Sequence, residues 1–73
     1  YIKEGNMGEK VIRNINHYIL ENDISLKKLA KTAGISYNTL WGILNRNKDI
    51  ALGDYIAICK ALKEPIDFFI PIE

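Results

Sequence analysis

The stretch from Leu26 to Asn45, LKKLAKTAGISYNTLWGILN, limits what this chain can fold into more than any other segment. It holds two apolar sets. Leu26, Leu29, Ala30 and Ala33 lie in the first half, and Leu40, Ile43 and Leu44 in the second. Apolar residues three and four apart line one face of an α-helix. Between the sets, Gly34 can end a helix at positive φ without steric cost, and Ser36 can cap the next one with its hydroxyl. Only Ile35 is left between them, so the two helices must cross sharply, with small residues where the backbones meet. The prediction is two short amphipathic helices joined by a tight turn.

The flanking sequence adds more helices. Val11, Ile12, Ile15, Tyr18 and Ile19 predict a helix from about Glu9 to Asn22, ended by Asn22 and Asp23. Ser25 is the expected cap of the second helix, with Ile24 folding back against Leu29. The third helix is expected from Ser36 to about Asn45, followed by a polar loop through Asp49. A fourth runs from about Leu52 to Leu62, with Leu52, Tyr55, Ile56, Cys59 and Leu62 inward and Ala51 as a poor cap. A short fifth helix is expected from Pro65, since proline suits the first helical position. Phe68 and Phe69 would close the core, and Pro71 would stop the helix. Residues 9–73 therefore read as one compact all-α domain of five helices. Residues 1–8 read as a flexible N-terminal arm or vector-derived residue, with Met7 a candidate native start.

Composition narrows the function classes. Seventy-three residues make one domain at most. A chain of that size buries only about 60% of the surface its unfolded form exposes. With 48% hydrophobic and 26% charged residues it is not a disordered composition. Cys59 is the single cysteine, which excludes an internal disulfide, suits a reducing cytoplasm and fits a small core residue. No apolar run reaches the roughly 18–20 residues that span a bilayer, and the N-terminus lacks the layout of a signal peptide. His17 is the sole histidine and has no thiol near it in sequence; Glu21 and Asp23 flank a helix end, where they are solvated. There is no glycine-rich phosphate loop, metal-ligand spacing or nucleophile elbow. The expectation is a non-catalytic protein with no cofactor, no metal and no small-molecule ligand in evidence. Net charge is only +1, but Lys27, Lys28, Lys31, Arg46 and Lys48 gather around the helix pair, whereas Asp54, Glu64, Asp67 and Glu73 lie in the C-terminal third. One basic face on a nearly neutral protein suffices to bind phosphates.

A projection at about 100° per residue sorts the faces of the third helix. Leu40, Ile43 and Leu44 fall on one side as the core stripe. Asn38, Gly42 and Asn45 fall opposite, flanked by Thr39 and Trp41, with Tyr37 near the boundary. A face needing only solubility would favour Lys and Glu. Amides instead pair bidentately with adenine, and Thr or aromatic carbon contacts the thymine methyl. Gly42 would let the helix approach a groove floor closely. The plainer alternative is that Asn38 and Asn45 are surface residues near helix ends, where asparagine is common.

From about Val11 to Phe69 the chain resembles the Cro and lambda-repressor-like helix-turn-helix family, also called the xenobiotic-response-element regulators. Ser25 to Ser36, SLKKLAKTAGIS, is similar to that family's S-x-x-x-L-A-x-x-x-G-[VI]-S, with Ala30 at the helix crossing and Gly34 at the turn. Leu40 and Ile43 match the apolar pair of the recognition helix. Ile56 to Leu62 resembles the fourth helix and Ile66 to Phe69 the closing one. The resemblance implies a sequence-specific transcriptional regulator, a repressor by type, of prokaryotic or phage origin. It also implies a partner, double-stranded DNA, with the third helix in the major groove. Base contacts would fall on Ser36, Tyr37, Asn38, Trp41 and Gly42, and phosphate contacts on Ser25 or Lys27, Thr39, Asn45, Arg46 and Lys48. Such proteins bind as two-fold homodimers on half-sites about one helical turn apart. Phe69, Ile70 and Ile72 are either the seam of such a dimer or a tail folded over its own core.

Three positions depart from the family pattern. Leu26 and Tyr37 stand where glutamines are common, and Lys63 where a glycine usually follows the fourth helix. Trp41 has three open roles: touching DNA, covering the core edge, or joining a protein interface. With the weak net charge, Leu26, Tyr37 and Trp41 also support a second function class, a protein-interaction or antitoxin-like module on the same fold.

Overall fold

Four helices are found in the structure, a computed structural model that describes residues 7–46 and 50–70. No strand occurs among the described residues. Helix α1, Met7–Glu21, begins within the span expected as an arm and buries Val11, Ile12, Ile15 and Ile19. Helix α2, Leu26–Ala33, buries Leu29 and Ala30, with Leu26 half-buried against the same core. Helix α3, Tyr37–Asn45, buries Leu40, Ile43 and Leu44. Helix α4, Leu52–Leu62, buries Tyr55, Ile58 and Cys59. Helix α2 packs on both α3 and α4, and α1 packs on α3, so the short helix pair sits between the two longer helices.

The helix ends follow from local chemistry. Ser25 and Ser36 have extended backbones, and each accepts a hydrogen bond from an amide in the first turn of its helix. Such a cap satisfies a donor that has no partner within the helix. At the other end, α1, α2 and α4 close with the same double bond. The amide of a left-handed residue and that of its successor reach back to carbonyls in the last turn. For α2 these are Gly34 to Lys31 and Ile35 to Ala30; for α1, Asp23 to Leu20 and Ile24 to Ile19; for α4, Lys63 to Lys60 and Glu64 to Cys59. Only Gly34 adopts this conformation freely; Asp23 (φ 54°) and Lys63 (φ 61°) do so with a side chain present.

Two expectations at the C-terminal end are corrected. The fifth helix is absent. After Pro65 the chain makes isolated turns, Phe68 N–H to Pro65 O at 3.0 Å and Ile70 N–H to Asp67 O at 3.3 Å. Side chains hold the carbonyls that a helix would use: Tyr55 donates its hydroxyl to Ile66 O, and Asn14 donates to Phe69 O at 2.8 Å. The inward face of α4 is also rotated from the expected one. Leu52 is 71% exposed and Ile56 half-buried, while Ile58 is fully buried. Phe69 closes the core as expected, at 2% exposure, but Phe68 stays exposed at its edge. Tyr18, Phe68 and Phe69 form a trio of edge-to-face rings with centroids 5.0–5.6 Å apart. The placement of Phe69 removes it from any dimer seam; Ile70 is exposed, and Ile72 lies outside the described residues.

Candidate nucleic-acid interface

Burial of Leu40, Ile43 and Leu44 fixes the rotation of α3 about its axis. The opposite side presents Tyr37, Asn38, Thr39, Trp41 and Asn45 as exposed residues, with Gly42 half-buried among them. These are the faces that the projection assigns. Asn38, Thr39, Trp41, Gly42 and Arg46 share one open concavity, whose far wall is Ala51 and Asp54 of the loop and first turn of α4.

The side chains on this face are partly organised already. Ser36 Oγ accepts from the Thr39 amide at 3.1 Å, and its own proton goes to Thr39 Oγ1 at 2.8 Å. The Ser36 oxygen thus caps the helix while its proton is committed to Thr39 Oγ1, which leaves the Thr39 hydroxyl free to donate outward. Asn45 Nδ2 donates to Trp41 O at 3.0 Å, leaving a second amide proton and the side-chain oxygen available. The Arg46 guanidinium lies over the Trp41 ring, 5.7 Å from its centroid. An added Cβ on Gly42 would meet nothing within 4 Å, and its φ is not positive. Among the described residues, neither packing nor backbone conformation demands a glycine there.

Basic side chains on α2 are open to solvent, Lys28 on the side towards α1 and the end of α4. Lys27, Lys28 and Lys31 are all exposed. Ser25 caps α2 through a long 3.4 Å bond from the Lys28 amide. Lys48 lies outside the described residues. Leu26, at the position where a glutamine is common in the resembled family, packs against the core. Asp54 is the acid that enters the concavity, although in sequence it groups with the C-terminal acids.

Two long-range contacts, one to α3 and one to the C-terminal turn, carry no signal in the sequence. Asn16, on the flank of the α1 apolar stripe, donates to Leu44 O at 2.9 Å across 28 residues. That carbonyl belongs to the last turn of α3, where intrahelical partners run out. Asn14 does the same for the C-terminal turn through Phe69 O. Their spacing marks them only as residues off the apolar face, and no local signal distinguishes a donor to a distant carbonyl from a solvated amide.

Remote from α3, burial and hydrogen bonding perturb a thiol and two phenols. Burial pushes the Cys59 thiol above its ordinary value, the opposite of an activated thiolate. Burial pushes the Tyr55 phenol up to about 12, with its bonding to Cys59 adding to the shift. The Tyr18 phenol is raised by its hydrogen bond to the Glu64 carboxylate, at 2.7 Å. His17 is exposed on α1. No group of three or more His, Cys, Asp or Glu residues able to hold a metal ion occurs among the described residues. No described helix is long and apolar enough to cross a membrane.

A sequence profile described as the Cro/C1-type HTH DNA-binding domain matches residues 14–67. That span takes in α2, α3 and α4 whole and all of α1 after its first two turns. No curated protein matches the chain.

Proposed function

The chain belongs to the Cro/C1-type helix-turn-helix DNA-binding domain family, and from that premise we propose that it is a sequence-specific repressor that lays α3 in the major groove of double-stranded DNA. The observation that carries this reading is the uncharged outward face of α3, with Asn38 exposed and Gly42 beside it unopposed by any neighbour. Asn38 is the adenine reader, through its bidentate amide. Ser36, Tyr37, Trp41 and Gly42 form the rest of the base-facing set, Ser36 as an acceptor because its proton goes to Thr39 Oγ1. Thr39, Asn45 and Arg46 contact phosphates beside the groove, with Lys48 following them in sequence. Ser25 and Lys27 do so at the start of α2, where first-turn amides add to the attraction for anions.

A homodimer completes the site, because one α3 reads only a few base pairs and two copies would read half-sites about one helical turn apart. Exposed Leu52, Ile66 and Ile70 border a common apolar groove suited to such pairing. Mass measured in solution with and without DNA checks the pairing.

The exposed aromatics Tyr37 and Trp41, at 42% and 41%, favour a second reading, in which the same face docks an apolar protein surface as in an antitoxin-like module. Salt dependence separates the two. If six or more phosphates are contacted, affinity for duplex DNA falls by about three orders of magnitude or more between about 50 and 200 mM salt. An apolar protein interface changes little over that range. Absence of duplex binding at about 50 mM salt would overturn the DNA reading.

A further inference from the structure

Trp41 presents two anchoring points to the residues that follow it. Its ring lies under the Arg46 guanidinium at 5.7 Å, and its carbonyl accepts the Asn45 amide at 3.0 Å. Both partners are phosphate contacts in the function proposed above. We infer that Trp41 is a positioning residue for the phosphate clamp at the end of α3: the indole holds Arg46 ready for a phosphate oxygen before DNA arrives. The inference rests on the DNA-binding reading.

The geometry fits the chemistry of the pair. The contact is a cation–π attraction near the outer reach of such pairs, and it leaves the guanidinium N–H donors for a phosphate, which can meet two of them. An unrestrained arginine on a surface samples many rotamers, all of which binding must freeze out. The indole removes part of that freedom in the free protein. Arg46 follows α3 directly and Trp41 lies a little over one turn earlier, so the pair sits at the mouth of the concavity lined by Asn38, Thr39 and Gly42. Beside its place in the base-facing set, Trp41 then acts on the phosphate backbone through Arg46, and its exposure on a polar face has a reason other than a protein partner.

The test uses the fact that Trp41 is the single tryptophan. In the free protein, Arg46→Ala should shift indole emission to the red and raise its quenching by acrylamide, since the ring loses its cover. On duplex DNA selected by the wild-type protein, Arg46→Ala should flatten the plot of log affinity against log salt by about 0.9, one phosphate's worth, whereas Trp41→Ala should weaken binding and keep the slope, because Arg46 still meets its phosphate in the complex. In the Arg46→Ala background Trp41→Ala should weaken binding less than it does in the wild-type protein, because the part of its effect that runs through Arg46 is already gone. Trp41→Phe, which keeps an aromatic face, should retain most of the wild-type affinity; circular dichroism confirms that each variant is folded. Unchanged emission in Arg46→Ala overturns the anchor, and so does a loss of affinity on Trp41→Ala that is the same with and without Arg46. If the wild-type protein binds no duplex at any salt, the DNA reading itself is overturned, while the emission measurement still decides whether the anchor exists.

Discussion

Gly42 is the residue at which stability and function pull apart. Within a helix, glycine costs about 0.5–1 kcal/mol relative to alanine because it orders a more flexible backbone. In many helices such a glycine makes room for a neighbouring element, but here an added Cβ would stand in open space. The protein therefore carries a destabilising residue at the centre of the outward face of α3 with no reason for it among the described residues. An external surface that must come close supplies one. Gly42→Ala should raise stability by about 0.5–1 kcal/mol in thermal melts and lower affinity for the selected duplex on the order of tenfold, as loss of a close groove contact would. A variant that gains stability and binds DNA as before would remove Gly42 from the interface.

At the scale of elements, the helix ends show which signals a sequence carries. Gly34, Ser25 and Ser36 were legible because their residue types announce their conformations, and α2 and α3 start and stop where those residues predict. The end of α4 was less so. Lys63 takes the same left-handed geometry as Gly34, but lysine gives no local hint of it, and tertiary packing imposes the conformation. Lys63→Gly should relieve that strain and stabilise the domain by about 0.5–1 kcal/mol, after the added flexibility of the unfolded chain is subtracted. Chemical denaturation reads this directly, and a variant no more stable than wild type would show that Lys63 is held without strain. The inward face of α4 was illegible for a different reason. Leu52, Tyr55, Ile56, Ile58, Cys59 and Leu62 leave few polar gaps, so spacing alone cannot choose between Leu52 and Ile58, and contact with α2 decides. The missing fifth helix has a similar origin. Pro65 is a good helix start, but Tyr55 and Asn14 hold the Ile66 and Phe69 carbonyls in turns, and so short a segment gains little from helix formation by itself.

At the scale of the whole molecule, the outward face of α3 exists because three elements hold the inward one. Leu40 and its neighbours bury against the common core, Asn16 ties the last turn of α3 to α1, and the tight Gly34 link ties its first turn to α2. The apolar half of this arrangement is readable from periodicity, because Leu40, Ile43 and Leu44 are the aliphatic residues of α3 and fall on one side of it. The polar half is not, because Asn16 and Asn14 act over distances that the sequence does not display. The Trp41–Arg46 pairing has the same character: the spacing of five residues permits it, and only the fold brings the guanidinium over the ring. The central claim is that Asn38 faces a base rather than solvent. Selection of bound sites from random duplex DNA, carried out in parallel with the wild-type protein and Asn38→Ala, tests it most directly. The expected result is one shared site in which the variant loses preference at a single position and about 1–3 kcal/mol of affinity. An identical site bound with undiminished affinity by Asn38→Ala would contradict it.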